Sequence, residues 1–165
     1  DEQKTVVTWP SDGLITEEWI DSFTQTLDTS SRSSSSSSSQ NLSSVLPVSV
    51  IDSLIYAASK ILHHEPNCLR ISVEELPSCS VVLVGDLHGQ FHDLIRLLEI
   101  AGRPSCSQIF VFNGDYVDRG AWGLETLLLL LSWKVRVFLL NRQREREINI
   151  YRRPILTYGF IRIEC

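Results

Sequence analysis

Two short apolar runs, each ending in Gly-Asp, constrain this 165-residue chain more than any other feature. The first is Val81–Val84 in VVLVGDLHG, and the second is Ile109–Phe112 in IFVFNGDYVDRG. A continuous apolar run bounded by glycine reads as a strand buried on both faces, the pattern of a parallel sheet. Between the runs, Phe91, Leu94, Ile95, Leu97 and Leu98 fall on one stripe of a helix over 90–101, stopped by Gly102 and Pro104. A further helix is expected over 122–133 and a third strand over 137–140. The order β-α-β-α-β gives an α/β fold with a parallel sheet and right-handed crossovers. Ligands of such sheets bind beyond the carboxyl ends of the strands, where both Gly-Asp pairs lie.

Residues i and i+2 of an extended segment point the same way, so Asp86 and His88 are placed to hold one metal ion together. Gly85 and Gly89 allow a sharp turn around it. Asp115 arrives one crossover later, and its two oxygens can bridge two ions. Aspartate with imidazole suits zinc, iron or manganese rather than calcium. Two such ions, roughly 3.5–4 Å apart, activate a water and clamp a phosphate. Arg119 adds a planar fork for phosphate oxygens. Taken singly, Asp-x-His and Asp-Arg-Gly are ordinary loop chemistry, but their conjunction after two strands, one crossover apart, points to a metal centre. His92 is expected to be solvated on the polar side of its helix. His63 and His64 are expected to meet a helix dipole rather than a metal.

Upstream, Trp19, Ile20 and Phe23 follow Thr16 at helical spacing, with Thr16 as the N-cap of a helical segment within 1–29. Residues 30–44 are serine-rich and read as a disordered insertion, because they cannot bury enough surface to offset chain entropy. Helical periodicity resumes within 45–78 through Val50, Leu54, Ala57, Ala58, Ile61 and Leu62, ending near Pro66. Residues 79–141 hold the strand-and-helix unit, and 142–165 form a divergent basic tail. A formal charge of -5 supplies no general attraction to nucleic acid. The tract GLETLLLLLSWKVRVFLL carries Glu125, Lys134 and Arg136, so it reads as a helix running into a strand rather than a membrane span. Four scattered cysteines fit reduced thiols, and no signal-peptide pattern is present. With Asp1 first and no methionine, the chain reads as a fragment or a sequence that has lost its start.

GDLHG and GDYVDRG resemble the first two signature motifs of the metal-dependent serine/threonine phosphoprotein phosphatases. WPSDGLITEEWID, AASKILHHEPNC and FVFNGDYVDRGAWGLETLLLLLSWKV resemble its plant type-seven branch, a resemblance that runs to Val135. It implies the N-terminal half of a calcineurin-like metallophosphoesterase fold and a divalent metal pair of manganese, or iron and zinc. The implied substrate is a phosphoprotein, met in the cytoplasm or nucleus, with no membrane or nucleic-acid partner. Asp86 and His88 match ligands of the first metal, and Asp115 matches the bridging ligand. Asp118 matches the acid that orients a catalytic histidine, and Arg119 matches a phosphate-binding arginine. The family's Gly-Asn-His-Glu motif has no counterpart after Leu140, and no histidine follows His92, so the second metal site is incomplete here. Three outcomes stay open on sequence: an active phosphatase, an inactive homologue that binds a partner, and a non-functional truncated product.

Overall fold

The computed structural model describes residues 6–33, 42–65, 79–105 and 107–147. Helix α1 spans Glu17–Ser33, a 3₁₀ turn spans Leu42–Ser44, and helix α2 spans Val48–His63. Strand β1 (Ser80–Val84), helix α3 (Phe91–Ala101), strand β2 (Gln108–Phe112) and helix α4 (Gly123–Glu147) follow. The two strands pair in parallel, with Val81 opposite Ile109 and Val84 opposite Phe112. The right-handed crossover rule therefore acts through α3, as the sequence order requires.

The Thr16 hydroxyl accepts a hydrogen bond from the backbone N–H of Trp19 at 3.2 Å, capping α1. Thr16→Ala is expected to lower stability by about 1 kcal/mol, the usual cost of a lost N-cap, read from the denaturant midpoint at unchanged m-value. Ile20, Phe23 and Leu27 turn inward, nearly fully buried, to meet Leu54, Ala58, Phe91, Leu94, Phe110 and Phe112 in one core. At the far end of α2, His64 Nδ1 lies 2.7 Å from the Lys60 carbonyl, so the imidazole donates to a terminal helix oxygen.

The structure corrects three expectations. Residues 137–140 form no strand, because α4 continues unbroken from Gly123 to Glu147. No Gly or Pro lies between Trp133 and Val137, so nothing releases the helical carbonyls. Val135 and Val137 are buried as helix residues instead. Val81 and Leu83 are exposed, Leu83 at 77%, so β1 is covered on one face only. Among the described residues the sheet has two strands, and nothing covers the face that carries Val81 and Leu83. The start of the serine tract is helical: Ser30 and Ser31 are buried on α1. Residues 34–41, the remaining core of that tract, and the tail beyond 147 lie outside the described residues.

Candidate metal centre

Parallel pairing puts both strand ends on one edge, and backbone hydrogen bonds then stitch the two following loops together. Asn113 N–H donates to the Val84 carbonyl at 2.9 Å. Leu87 and His88 N–H both donate to the Asp115 carbonyl, at 3.0 and 2.7 Å, and Gly89 N–H donates to Tyr116 at 2.9 Å. Gly120 N–H closes the second loop on the His88 carbonyl at 2.7 Å. Here glycine is required for approach: a Cβ on Gly120 would lie 2.3 Å from that same carbonyl oxygen. Gly89 takes φ +69°, whereas Gly85 has neither a positive φ nor a close neighbour, so the expected sharp turn uses Gly89 and not Gly85.

His88, Asp115, Asp118 and Arg119 all adopt positive φ, between 47° and 66°. Among the described residues no other non-glycine does so. Each such position costs roughly 1–3 kcal/mol and persists only where surrounding contacts fix it. Four of the five site residues read from the sequence therefore carry local strain.

One ligand atom each from Asp86, His88 and Asp115 lie within 4.8 Å of one another. His88 Nε2 is 3.4 Å from Asp86 Oδ2 and 3.9 Å from Asp115 Oδ2. His88 Nδ1 lies 3.2 Å from the Val117 carbonyl. A carbonyl can only accept, so Nδ1 carries the hydrogen, and the tautomer assigned from this geometry leaves a lone pair on Nε2. Nε2 is buried and has no hydrogen-bond partner. In the neutral ring that lone pair faces two carboxylates, a set of three acceptors that a metal ion or a proton on Nε2 would bring together. The backbone bond at Nδ1 fixes the ring in the orientation that metal-binding histidines need. One nitrogen and two carboxylates fit a borderline divalent ion.

Asp118 and Arg119 sit in the loop between Asp115 and the Gly120 closure, both exposed. No ion pair joins them among the described residues. Burial holds the Tyr116 phenol protonated, its pKa pushed up to about 12. Its hydroxyl points to the Phe112 carbonyl at 3.4 Å, away from phosphate chemistry.

Residues 79–141 match the calcineurin-like phosphoesterase family. The chain is 51% identical over 144 residues to serine/threonine-protein phosphatase 7 of Arabidopsis thaliana, covering 84% of this chain and 34% of that protein. The chain belongs to the serine/threonine phosphoprotein phosphatase family. Another family member, serine/threonine-protein phosphatase T of Saccharomyces cerevisiae, is 31% identical over 118 residues, covering 70% of this chain and 22% of its own length. A solved structure of a protein serine/threonine phosphatase from the same yeast superposes with a TM-score of 0.55 at 28% identity, covering 64% of this chain and 36% of that one. The chain thus spans about a third or less of the length of these relatives. The family match runs through Asn141, past Val135. No helix of the described residues is long and apolar enough to cross a membrane.

Sequence reasoning missed His92. It is not solvated: Nε2 lies 3.1 Å from Asp28 Oδ1 and 3.1 Å from Ser31 Oγ, and the ring stands edge-on to Trp122 with centroids 4.4 Å apart. Its partners come from α1 and from the loop before α4, so no local pattern in α3 could disclose them.

Proposed function

We propose that this chain carries the first-metal and phosphate-binding half of a phosphatase centre acting on phosphoserine and phosphothreonine in proteins. The observation that supports it most is that ligand atoms of Asp86, His88 and Asp115 lie within 4.8 Å of one another while the buried His88 Nε2 has no hydrogen-bond partner. In this reading Asp86, His88 and Asp115 hold a manganese, iron or zinc ion, Asp115 being the group that bridges to a second. The bound metal would supply an activated water and charge neutralisation for phosphate. Arg119 offers paired N–H donors to the phosphate oxygens. Asp118, three residues after Asp115, is the acid that would orient an imidazole. A phosphoprotein in the cytoplasm or nucleus is the substrate this reading implies.

Within these 165 residues the histidines are His63, His64, His88 and His92 alone. None of them is available as the general acid, since His88 faces the metal point, His92 is held by Asp28, and His63 and His64 lie at the end of α2. Loss of a general acid typically costs ~10² to 10⁴ in rate. The 165-residue chain is therefore expected to bind Mn²⁺ weakly and to hydrolyse a phosphoserine peptide at or near background. Malachite-green phosphate release with and without Mn²⁺ checks it. Robust Mn²⁺-dependent turnover, abolished in Asp86→Asn, would show that another group supplies the acid and overturn the half-centre reading.

A further inference from the structure

The contacts around His92 connect helix α1, which lies outside residues 79–141, to the two metal loops. The bonding pattern fixes each hydrogen. Ser31 Oγ donates to the Asp28 carbonyl at 2.8 Å, so its remaining capacity toward His92 is as an acceptor. Asp28 Oδ1 also accepts, at 3.1 Å from the same ring nitrogen. His92 Nε2 therefore carries a hydrogen shared between two acceptors of α1. Asp28 is itself held from the solvent side by Arg32 Nε, 2.9 and 3.0 Å from its two oxygens. This stops the carboxylate from swinging away.

On its other side the His92 ring meets Trp122 edge-on, at 84° between planes. Trp122 N–H donates to the Gly89 carbonyl at 3.2 Å, and the Trp122 carbonyl accepts from Thr126 N–H at 3.0 Å and Oγ1 at 2.8 Å. Trp122 thus joins the residue after His88 to the first turn of α4. It follows Arg119 and the Gly120–His88 closure within three residues. The strained backbone at His88, Asp118 and Arg119 needs outside contacts to hold it, and Trp122 is where α1 reaches that backbone.

We propose that His92 is a positioning residue for the metal loops, and that α1 acts through Asp28 and His92 as a latch holding the His88 and Arg119 backbone in its strained form. The claim that the latch serves metal binding rests on Asp86, His88 and Asp115 being ligands. The claim that it fixes the loops does not.

Residue-resolved amide hydrogen exchange on the metal-free chain, with Mn²⁺ titration calorimetry beside it, tests the proposal. In His92→Ala, exchange at Gly89, Gly120 and Trp122 should rise about tenfold, while Leu54 and Ala58 of α2 stay protected. Mn²⁺ affinity should fall about tenfold, the lower end of the range for lost supporting contacts. Asp28→Asn keeps an acceptor oxygen and should retain loop protection, whereas Asp28→Leu should lose it. Should His92→Ala fail to fold, His92→Gln and Asp28→Leu carry the same comparison. Arg103→Ala is the control, because it breaks a separate α1 contact, the bidentate pair with Asp21 at 2.7 and 3.1 Å. Unchanged loop exchange in His92→Ala and Asp28→Leu overturns the latch, as does equal loosening by Arg103→Ala, which would reduce it to general docking of α1. If loop exchange responds as stated but the wild type takes up no Mn²⁺, the latch stands and the ligand reading fails.

Discussion

Asp115→Asn is expected to abolish the Mn²⁺-dependent rise in melting temperature while leaving the metal-free protein as stable as the wild type, or slightly more so. With no metal and a neutral His88, the Nε2 lone pair lies 3.4 Å from Asp86 Oδ2 and 3.9 Å from Asp115 Oδ2, and the three acceptors repel one another. Removing one negative charge relieves part of it. The backbone cost is small, because Asn is among the few residues that accept the positive φ of 48° found at Asp115. With Mn²⁺ the sign reverses. A ligand that binds only the folded state adds about 2.7 kcal/mol at a hundredfold excess over its Kd. The variant loses a ligand itself, so its affinity should fall by more than the roughly 10–100-fold caused by losing an outer partner. Thermal melts across a Mn²⁺ series, with Mg²⁺ as comparison, read both halves. Equal Mn²⁺ stabilisation of variant and wild type would mean that the ion binds elsewhere and not at this cluster.

What was legible in the sequence was encoded locally. Each apolar run followed by Gly-Asp carries its strand and its site residue within about ten positions, and the parallel pairing then brings Asp86, His88 and Asp115 together without further information. What was not legible depended on distant partners. Val135 and Val137 have strand propensity, yet they continue a helix because burial against α2 and the absence of a breaker outweigh a preference of well under 1 kcal/mol per residue. Ser30 and Ser31 look like the start of a solvated tract, but Ser31 contributes an acceptor to His92, which lies 61 positions away. His92 itself lies off the apolar stripe of α3, and α1 and Trp122 partly cover it.

The largest effect on stability is expected from the buried ion pair between α4 and Glu65, just beyond the end of α2. Lys134 Nζ donates to Glu65 Oε1, with 3% and 12% of the two side chains exposed. Burial pulls the Lys134 ammonium below its ordinary 10.5, and its hydrogen bond to Glu65 offsets only part of that. Glu65→Ala leaves a charge in the core with nothing to meet it and should cost about 3–5 kcal/mol. For a chain of this length that is a fall of roughly 6–20 °C in melting temperature. Lys134→Met strands the Glu65 carboxylate in its turn, with 12% of that side chain exposed, and should also lower stability. The double variant should recover most of what Glu65→Ala loses. The pH dependence has a definite sign. A lysine whose folded pKa lies below its unfolded value binds fewer protons folded than unfolded between the two, so stability rises with pH across that window. Without Glu65 the folded Lys134 value falls further, so the Glu65→Ala deficit should be full where the ammonium is charged in both folded proteins and shrink as pH climbs from the variant's folded value to the wild type's. Urea midpoints of the four proteins at several pH values up to about 10 check the pattern. A Glu65→Ala cost that is small or independent of pH would show that Lys134 reaches solvent, and that α2 and α4 are held by apolar packing alone.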